Sequence, residues 1–542
     1  MNRRWVLLGL YCLLALMLFY MIFMSMHDSV YFYGDDFKKV HHGRHHPLPV
    51  PGHFIAARIV DDYLIAFMFL FFAKFIAPLL GLKHIADIYS FYTTALFSFI
   101  SVTTIVMLLL YIRLVVKISL RYLVLIGLGT ISFFFANVQL YDLTTIQSYY
   151  LPFLMSILLL YPFVAIFISD KDVFHGLRSS TVTTALVILS YCVAFSITNV
   201  EFFTSVTLLW IAASEVMSDR KNLPAREASF RRAMQAVMRR RPSWFRVNIV
   251  LLPVLSLAAA ALDFMTERFS REQEYAATRN GFEWYQYIGS GLEEIFLFHF
   301  DLIVGVLGVV TLCAAIAVNW SRDDAVKLFK LNRLFVIATI FYVVFMGVIS
   351  ANADTNYLAR PRFGIYVFFS TTLVLFSFAA ALQKHRAGHV LAMVFLLLAA
   401  FQGIYILMGN EHWPPRTSPH HSIAQNKRYS KSDLRNIFST LYMNHCYGNE
   451  EILVYLPPSA GNEPGYPIVP NSRSGMAWFY NAYLELMEVY IVEQGTLGDY
   501  EPTYQITNDP TAFRQSIRDL ATTHTNTCVK IESSPYFIPI DD

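Results

Sequence analysis

The chain has 542 residues, of which 56% are hydrophobic, 16% aromatic and only 15% charged, with a formal net charge of +3. That balance excludes an ordinary soluble globular protein, and a small positive charge placed at segment ends excludes a nucleic-acid partner. The solvent that fits is a lipid bilayer.

Arg3 and Arg4 precede the apolar run Trp5–Met26. The run has the ~20 residues that a helix needs to cross ~30 Å of hydrocarbon. It ends in His27-Asp28-Ser29-Val30-Tyr31 without a small-x-small cleavage pattern, so it reads as an uncleaved first span. Tyr33-Gly34-Asp35-Asp36-Phe37 follows at once. Adjacent carboxylates repel, and the pair suits a base that takes a proton from a hydroxyl beside a second group holding a divalent cation or a sugar hydroxyl. Gly-Asp-Asp is also ordinary turn chemistry. The same segment supplies Lys38, Arg44 and Arg58, cations that can grip a phosphate at headgroup level. His41, His42, His45, His46 and His53 leave a transition-metal reading open. Asp61 and Asp62 stand where a helix dipole favours negative charge. Leu64–Leu82 is apolar but carries Lys74 and Pro78, which fits helices lying at the interface with the lysine reaching water.

Further apolar runs include Tyr92–Tyr111, Leu151–Ser169 and Leu302–Trp320. Lys and Arg crowd particular connections: Arg113, Lys117 and Arg121; the stretch from Arg220 to Arg246 with Arg239-Arg240-Arg241 at its centre; Arg322, Lys327, Lys330 and Arg333; and Lys384 with Arg386. Placing these inside gives about eleven transmembrane helices, a cytoplasmic N-terminus and outer loops at 27–89 and 263–294. The basic stretch itself reads as a topology determinant beside anionic lipid. Three outer turns can complete a cavity: the one holding Tyr141 and Asp142, the hairpin tip with Asn199 and Glu201, and Asp354–Arg362. Arg360 and Arg362 lie on the side that is usually poor in them, which suits an anionic lipid headgroup or packing against acidic residues.

Residues 1–410 therefore form the transmembrane domain, and 411–542 a soluble α/β domain on the outer, periplasmic side. Ser430–Met443 and Met476–Val492 have helical spacing, whereas Glu451–Tyr455 and Val529–Glu532 read as strands. Cys12, Cys192 and Cys313 lie in apolar spans. Cys446 and Cys528 are the cysteines of the soluble region and pair as a disulfide if it faces an oxidising compartment. No GxGxxG, P-loop, GxSxG or HExxH motif occurs, so nucleotide hydrolysis has no support.

Laid out this way, the chain resembles the polytopic bacterial glucosyltransferases that modify O-antigen and change serotype, within the wider GT-C group. Asp35-Asp36 stands where that family has its acidic pair. Gly52-His53-Phe54-Ile55-Ala56-Ala57-Arg58 is similar to its Gly-Arg-Pro-Leu-Ala-like segment. Phe134-Phe135-Ala136-Asn137-Val138-Gln139-Leu140-Tyr141-Asp142 is similar to its Phe-x-x-Glu-Asn-Leu-Ser-Tyr-Arg-Phe-Asp-like turn, without the Glu and the Arg. The resemblance covers residues 1–410 and implies a GT-C-like fold in a bacterial inner membrane. It further implies an undecaprenyl phosphate-linked sugar as donor, a periplasmic glycan such as O-antigen or lipopolysaccharide as acceptor, and Asp35 or Asp36 as general base. A transporter or flippase of a lipid-linked or anionic substrate is the competing reading. An assembly protein whose C-terminal domain binds a partner is a third.

Overall fold

The computed structural model describes residues 3–26, 29–30, 68–69, 71–82, 85–133, 146–170, 172–196, 198–222, 230–264, 284–293, 295–296, 302–319, 325–353, 357–358, 363–407, 429–430, 451–455, 503–507, 511, 514–515, 518–519 and 527–531. Helix α1 (Arg3–Met26) is followed by a two-residue strand β1 (Ser29–Val30), then α2 (Ile85–Val115) and α3 (Leu120–Phe133). A π-helical turn at Ile146–Tyr150 leads into α4 (Leu151–Ser169). Next come α5 (Ser179–Ala194), α6 (Thr198–Asn222), α7 (Phe230–Arg240), α8 (Ser243–Phe264), α9 (Trp284–Glu293) and α10 (Leu302–Asn319). Helices α11 (Ala325–Ala353), α12 (Ile365–Ala381) and α13 (Arg386–Leu407) complete the helical part.

Seven of these helices are long and apolar enough to cross a membrane: α2, α4, α6, α8, α11, α12 and α13. Shorter apolar stretches lie in α1, α3, α5 and α10. α4 has the expected bounds, Leu151–Ser169, and α1, α2 and α10 overlap the expected runs Trp5–Met26, Tyr92–Tyr111 and Leu302–Trp320. The apolar helices turn large side chains such as Leu257, Val306, Ile340, Val390 and Phe401 outward. In water such a surface would associate; in lipid it is solvated.

The bundle is built around α4 and α12, whose spans are 78% and 83% buried, against 33% for α8 and 39% for α13 at the periphery. Rings fill its centre. The Tyr111 hydroxyl donates to the Ile157 carbonyl at 2.7 Å, and its ring meets Tyr161, Phe335 and Phe369. Small polar side chains are returned to their own helices: Ser98 donates to the Thr94 carbonyl, Thr204 to Val200 and Thr372 to Phe368, each at 2.7 Å. That local bond is how a hydroxyl is tolerated where no water competes. Helices α3 and α13 approach closely at Gly403, where a Cβ would run into the Leu128 carbonyl oxygen.

Phe72–Ile76 forms a second π-helical turn, and Pro78–Leu80 a 3-10 turn closed by Gly81 in the left-handed region (φ 73°). Lys74 is exposed on it. The proline ends regular hydrogen bonding there, and among the described residues this stretch contains no span-length helix.

Beyond α13, β2 (Tyr429–Ser430) pairs antiparallel with β1. Strands β3 (Glu451–Tyr455), β4 (Thr503–Thr507) and β5 (Thr527–Ile531) form a parallel sheet in the order β4-β3-β5. The strand expected at Glu451–Tyr455 is found with those bounds, and the one at 529–532 begins two residues earlier. Ser430, expected to open a helix, ends a strand instead, because its backbone pairs with Ser29. β4 had no counterpart in the sequence reading. Residues 476–492 lie outside the described residues.

Candidate functional site

The end of the bundle where α1 finishes, here the Met26 end, gathers the described flanks of the segments that carry Asp35, Asp142, Glu201 and Arg360. Phe23 of α1 meets Phe91 of α2 edge-on at 5.5 Å. Phe69 and Phe72 pack on Tyr92 at 5.4 and 5.0 Å. Tyr92 accepts a hydrogen bond from the Gln147 side-chain amide at 2.8 Å, which joins α2 to the π-helical turn. Two residues on, Tyr149 meets Phe363, the residue after Arg362, at 5.3 Å. Phe363 also meets Tyr357 and accepts the Tyr342 hydroxyl at 2.5 Å through its carbonyl. Tyr366, the second residue of α12, stacks on Phe203 of α6 at 4.0 Å. Ring contacts, with the Gln147–Tyr92 hydrogen bond between them, thus run along the flanks of the Asp35, Asp142, Glu201 and Arg360 segments.

Along those flanks Glu201 is described. It sits in the first turn of α6 and is 3% exposed. Its neighbours one turn on are tied down: Thr204 shares a 2.6 Å bond with Ser156 of α4, and Ser205 a 2.8 Å bond with Ser256 of α8. Burying a carboxylate this deeply is costly unless it is paired. Asp35, Asp36, Lys38, Arg44, Arg58, Tyr141, Asp142, Arg360, Arg362 and Cys446 lie outside the described residues. Cys528 is placed on β5 by its backbone. Cys12, Cys192 and Cys313 are free thiols. Among the described residues no group of three or more His, Cys, Asp or Glu side chains could hold a metal ion.

The opposite end, marked by Arg113, is built differently. Asp170 caps α4 in the left-handed conformation (φ 53°), which Asp tolerates better than most residues. Its carboxylate receives the Arg241 guanidinium at 2.9 Å. Arg241 also grips Glu215 of α6, through Nε at 3.0 Å and through Nη2. Arg240 reaches the same Glu215 at 3.2 Å and Asp219 at 3.1 Å. The geometry follows from Pro242, which moves Arg241 out of helical backbone and turns the chain from α7 into α8. Burial works against the charge on Arg241, but hydrogen bonds and Coulomb attraction from Glu215, then Asp170, outweigh it and hold its pKa above the ordinary value. Lys330 donates to the Phe167 carbonyl at 2.5 Å and lies 3.9 Å from that residue's ring centroid. On α7, Ala233 and Val237 are buried against Val216, while Arg231, Arg232 and Arg239 are exposed.

No protein-family model matches the sequence, and no curated protein matches it either. Among solved structures the chain is similar to the archaeal oligosaccharyltransferase AglB from Archaeoglobus fulgidus, determined in complex with an inhibitory peptide and a dolichol-phosphate. The identity is 13% and the TM-score 0.43, over 83% of this chain and 62% of that one. This chain therefore spans less than two thirds of AglB's length.

Sequence reasoning missed Gln147, Tyr92 and Glu215. Each had a signal: Gln147 and Tyr92 are polar groups at the mouths of apolar runs, and Glu215 is an acid inside one. A lone polar residue in a span marks a contact, but its partner is read only in three dimensions.

Proposed function

We propose that the protein is a membrane glycosyltransferase of GT-C type that moves a hexose, such as glucose, from undecaprenyl phosphate to a periplasmic glycan such as O-antigen. In this reading eleven helices span a bacterial inner membrane, and the α/β domain at 411–542 lies on the periplasmic side with the Met26 end. The observation that supports it is the ring-lined Met26 end, where Glu201 is 3% exposed and the flanks of all four candidate segments meet. The basic residues that mark a cytoplasmic face, Arg113, Lys117 and Arg231 to Arg241, gather at the other end.

The chemistry assigned is a single displacement. A carboxylate of Asp35 or Asp36, with or without a divalent cation, takes the proton of an acceptor hydroxyl as its oxygen bonds to the anomeric carbon. The bond from that carbon to the phosphate oxygen breaks, the polyprenyl phosphate leaves, and configuration inverts. Lys38, Arg44, Arg58, Arg360 and Arg362 are the groups for the phosphate; Tyr141, Asp142 and Glu201 are those for the acceptor or sugar. Sugar transfer by the Asp35→Asn and Asp36→Asn variants tests it. One of them is expected to lose roughly 10²- to 10⁴-fold in rate while inserting normally, the span of general-base catalysis. Unchanged transfer in both removes the mechanism.

A further inference from the structure

We infer that Gln147, Thr93 and Tyr92 form a subsite for the hydroxyls of the donor's sugar ring, an assignment that rests on the function proposed above. Gln147, Thr93 and Tyr92 are 1%, 3% and 7% exposed. The amide nitrogen of Gln147 is engaged by Tyr92 at 2.8 Å, which fixes the orientation of the amide. Its Oε1 is shielded and has no hydrogen-bond partner among the described residues, and the same holds for Thr93 Oγ1. Buried polar atoms in this condition are rare, because each forfeits its bonds to water.

Thr93 has an easy remedy that it does not take. On the same helix Ser98 and Thr103 donate to the carbonyls four residues back, at 2.7 Å each, whereas the Thr93 hydroxyl makes no such bond. Ser101 and Thr104 share that condition. They lie two or more turns further along α2, away from the Gln147–Tyr92 pair, and no amide joins them. Thr93 is one residue from Tyr92, at the end where the rings of Phe69, Phe72, Tyr149 and Phe363 gather.

The chemistry selects the ligand. An amide oxygen accepts, and threonine and tyrosine hydroxyls both accept and donate. None carries charge, so the set suits a neutral group rich in hydroxyls better than a phosphate, which calls for cations. A site shaped to hydrogen-bond a hydroxyl rejects a ligand that lacks it.

The test uses full-length protein in nanodiscs, with retention of undecaprenyl phosphate and of undecaprenyl phosphate-glucose compared by native mass spectrometry. Wild type is expected to retain the glucose-bearing lipid in preference. Gln147→Leu and Thr93→Val are each expected to cut that preference roughly tenfold, the value of one hydrogen bond, while still retaining the bare lipid. Thr93→Val preserves shape, so it decides the matter if Gln147→Leu fails to fold, and Thr93→Ser should restore the preference. Variants that keep the wild-type preference overturn the subsite and leave the proposed function standing. Wild type that retains neither lipid overturns both.

Discussion

The two ends of the bundle are held by different physics. At the Arg113 end, Arg241 and Arg240 bind Glu215, Asp170 and Asp219, and the cluster joins α4, α6, α7 and the start of α8. At the Met26 end rings and neutral hydrogen bonds link α1, α2, α4, α6 and α12. A buried ion pair fixes one geometry and makes any other expensive. Ring contacts and amide bonds are individually small and can be exchanged for contacts with a ligand. The contrast fits a molecule closed at one end and receptive at the other.

The contrast is most sharply tested at Arg241. Replacing it with Met leaves Glu215, with a 7% exposed side chain, bonded to the half-exposed Arg240 and only at longer range attracted by Lys330. The expected loss is about 3–5 kcal/mol, the cost of breaking a buried ion pair by removing one partner, read as a fall in thermal stability of the detergent-solubilised protein. Adding Glu215→Leu should restore most of it, since the buried charge is then gone; a double variant no more stable than Arg241→Met would mean that the cluster is not the lock. A smaller effect is expected from Gly403→Ala, whose Cβ meets the Leu128 carbonyl oxygen and pushes α3 from α13. Overpacking of this kind costs about 1–3 kcal/mol, measurable on the same melting curve. The smallest belongs to Ser156→Ala, which removes one 2.6 Å bond to Thr204. Hydrogen bonds between membrane helices average about 0.6 kcal/mol. A loss above 2 kcal/mol there would show that the Met26 end is as firmly locked as the other and erase the distinction.

How much of this was legible in the sequence follows the same division. The helices were readable because lipid forces every backbone bond to be made within the segment, so apolar length alone locates them. α4 illustrates this, since Leu151–Ser169 is an unbroken apolar run bounded by Tyr150 and Asp170. β3 was readable from Glu451–Tyr455 because branched and aromatic residues crowd into five positions. β2 was not, because Tyr429–Ser430 is a strand only through its pairing with β1, far away in the chain. At the site, Glu201 could be named from its place at a hairpin tip. The Gln147–Tyr92 bond could not, since nothing local says which of several polar residues at span mouths will face each other. The Arg241 cluster was hidden for a further reason: runs of arginine beside a membrane are ordinarily solvated, and the one that is buried among the described residues is singled out by Pro242 and by acids on two other helices.

The short ribbon between Ser29–Val30 and Tyr429–Ser430 has a consequence for how the chain can be divided. It stitches the exit of the opening helix to the stretch that leaves α13, so the helical part is a loop fastened near its two ends, with Asp35 a few residues along the sequence from the fastening. Cutting the chain after α13 would therefore do more than remove an appendage. It would leave the backbone at Ser29 and Val30 without its mate, and the severed piece would lose its pairing with the exit of α1.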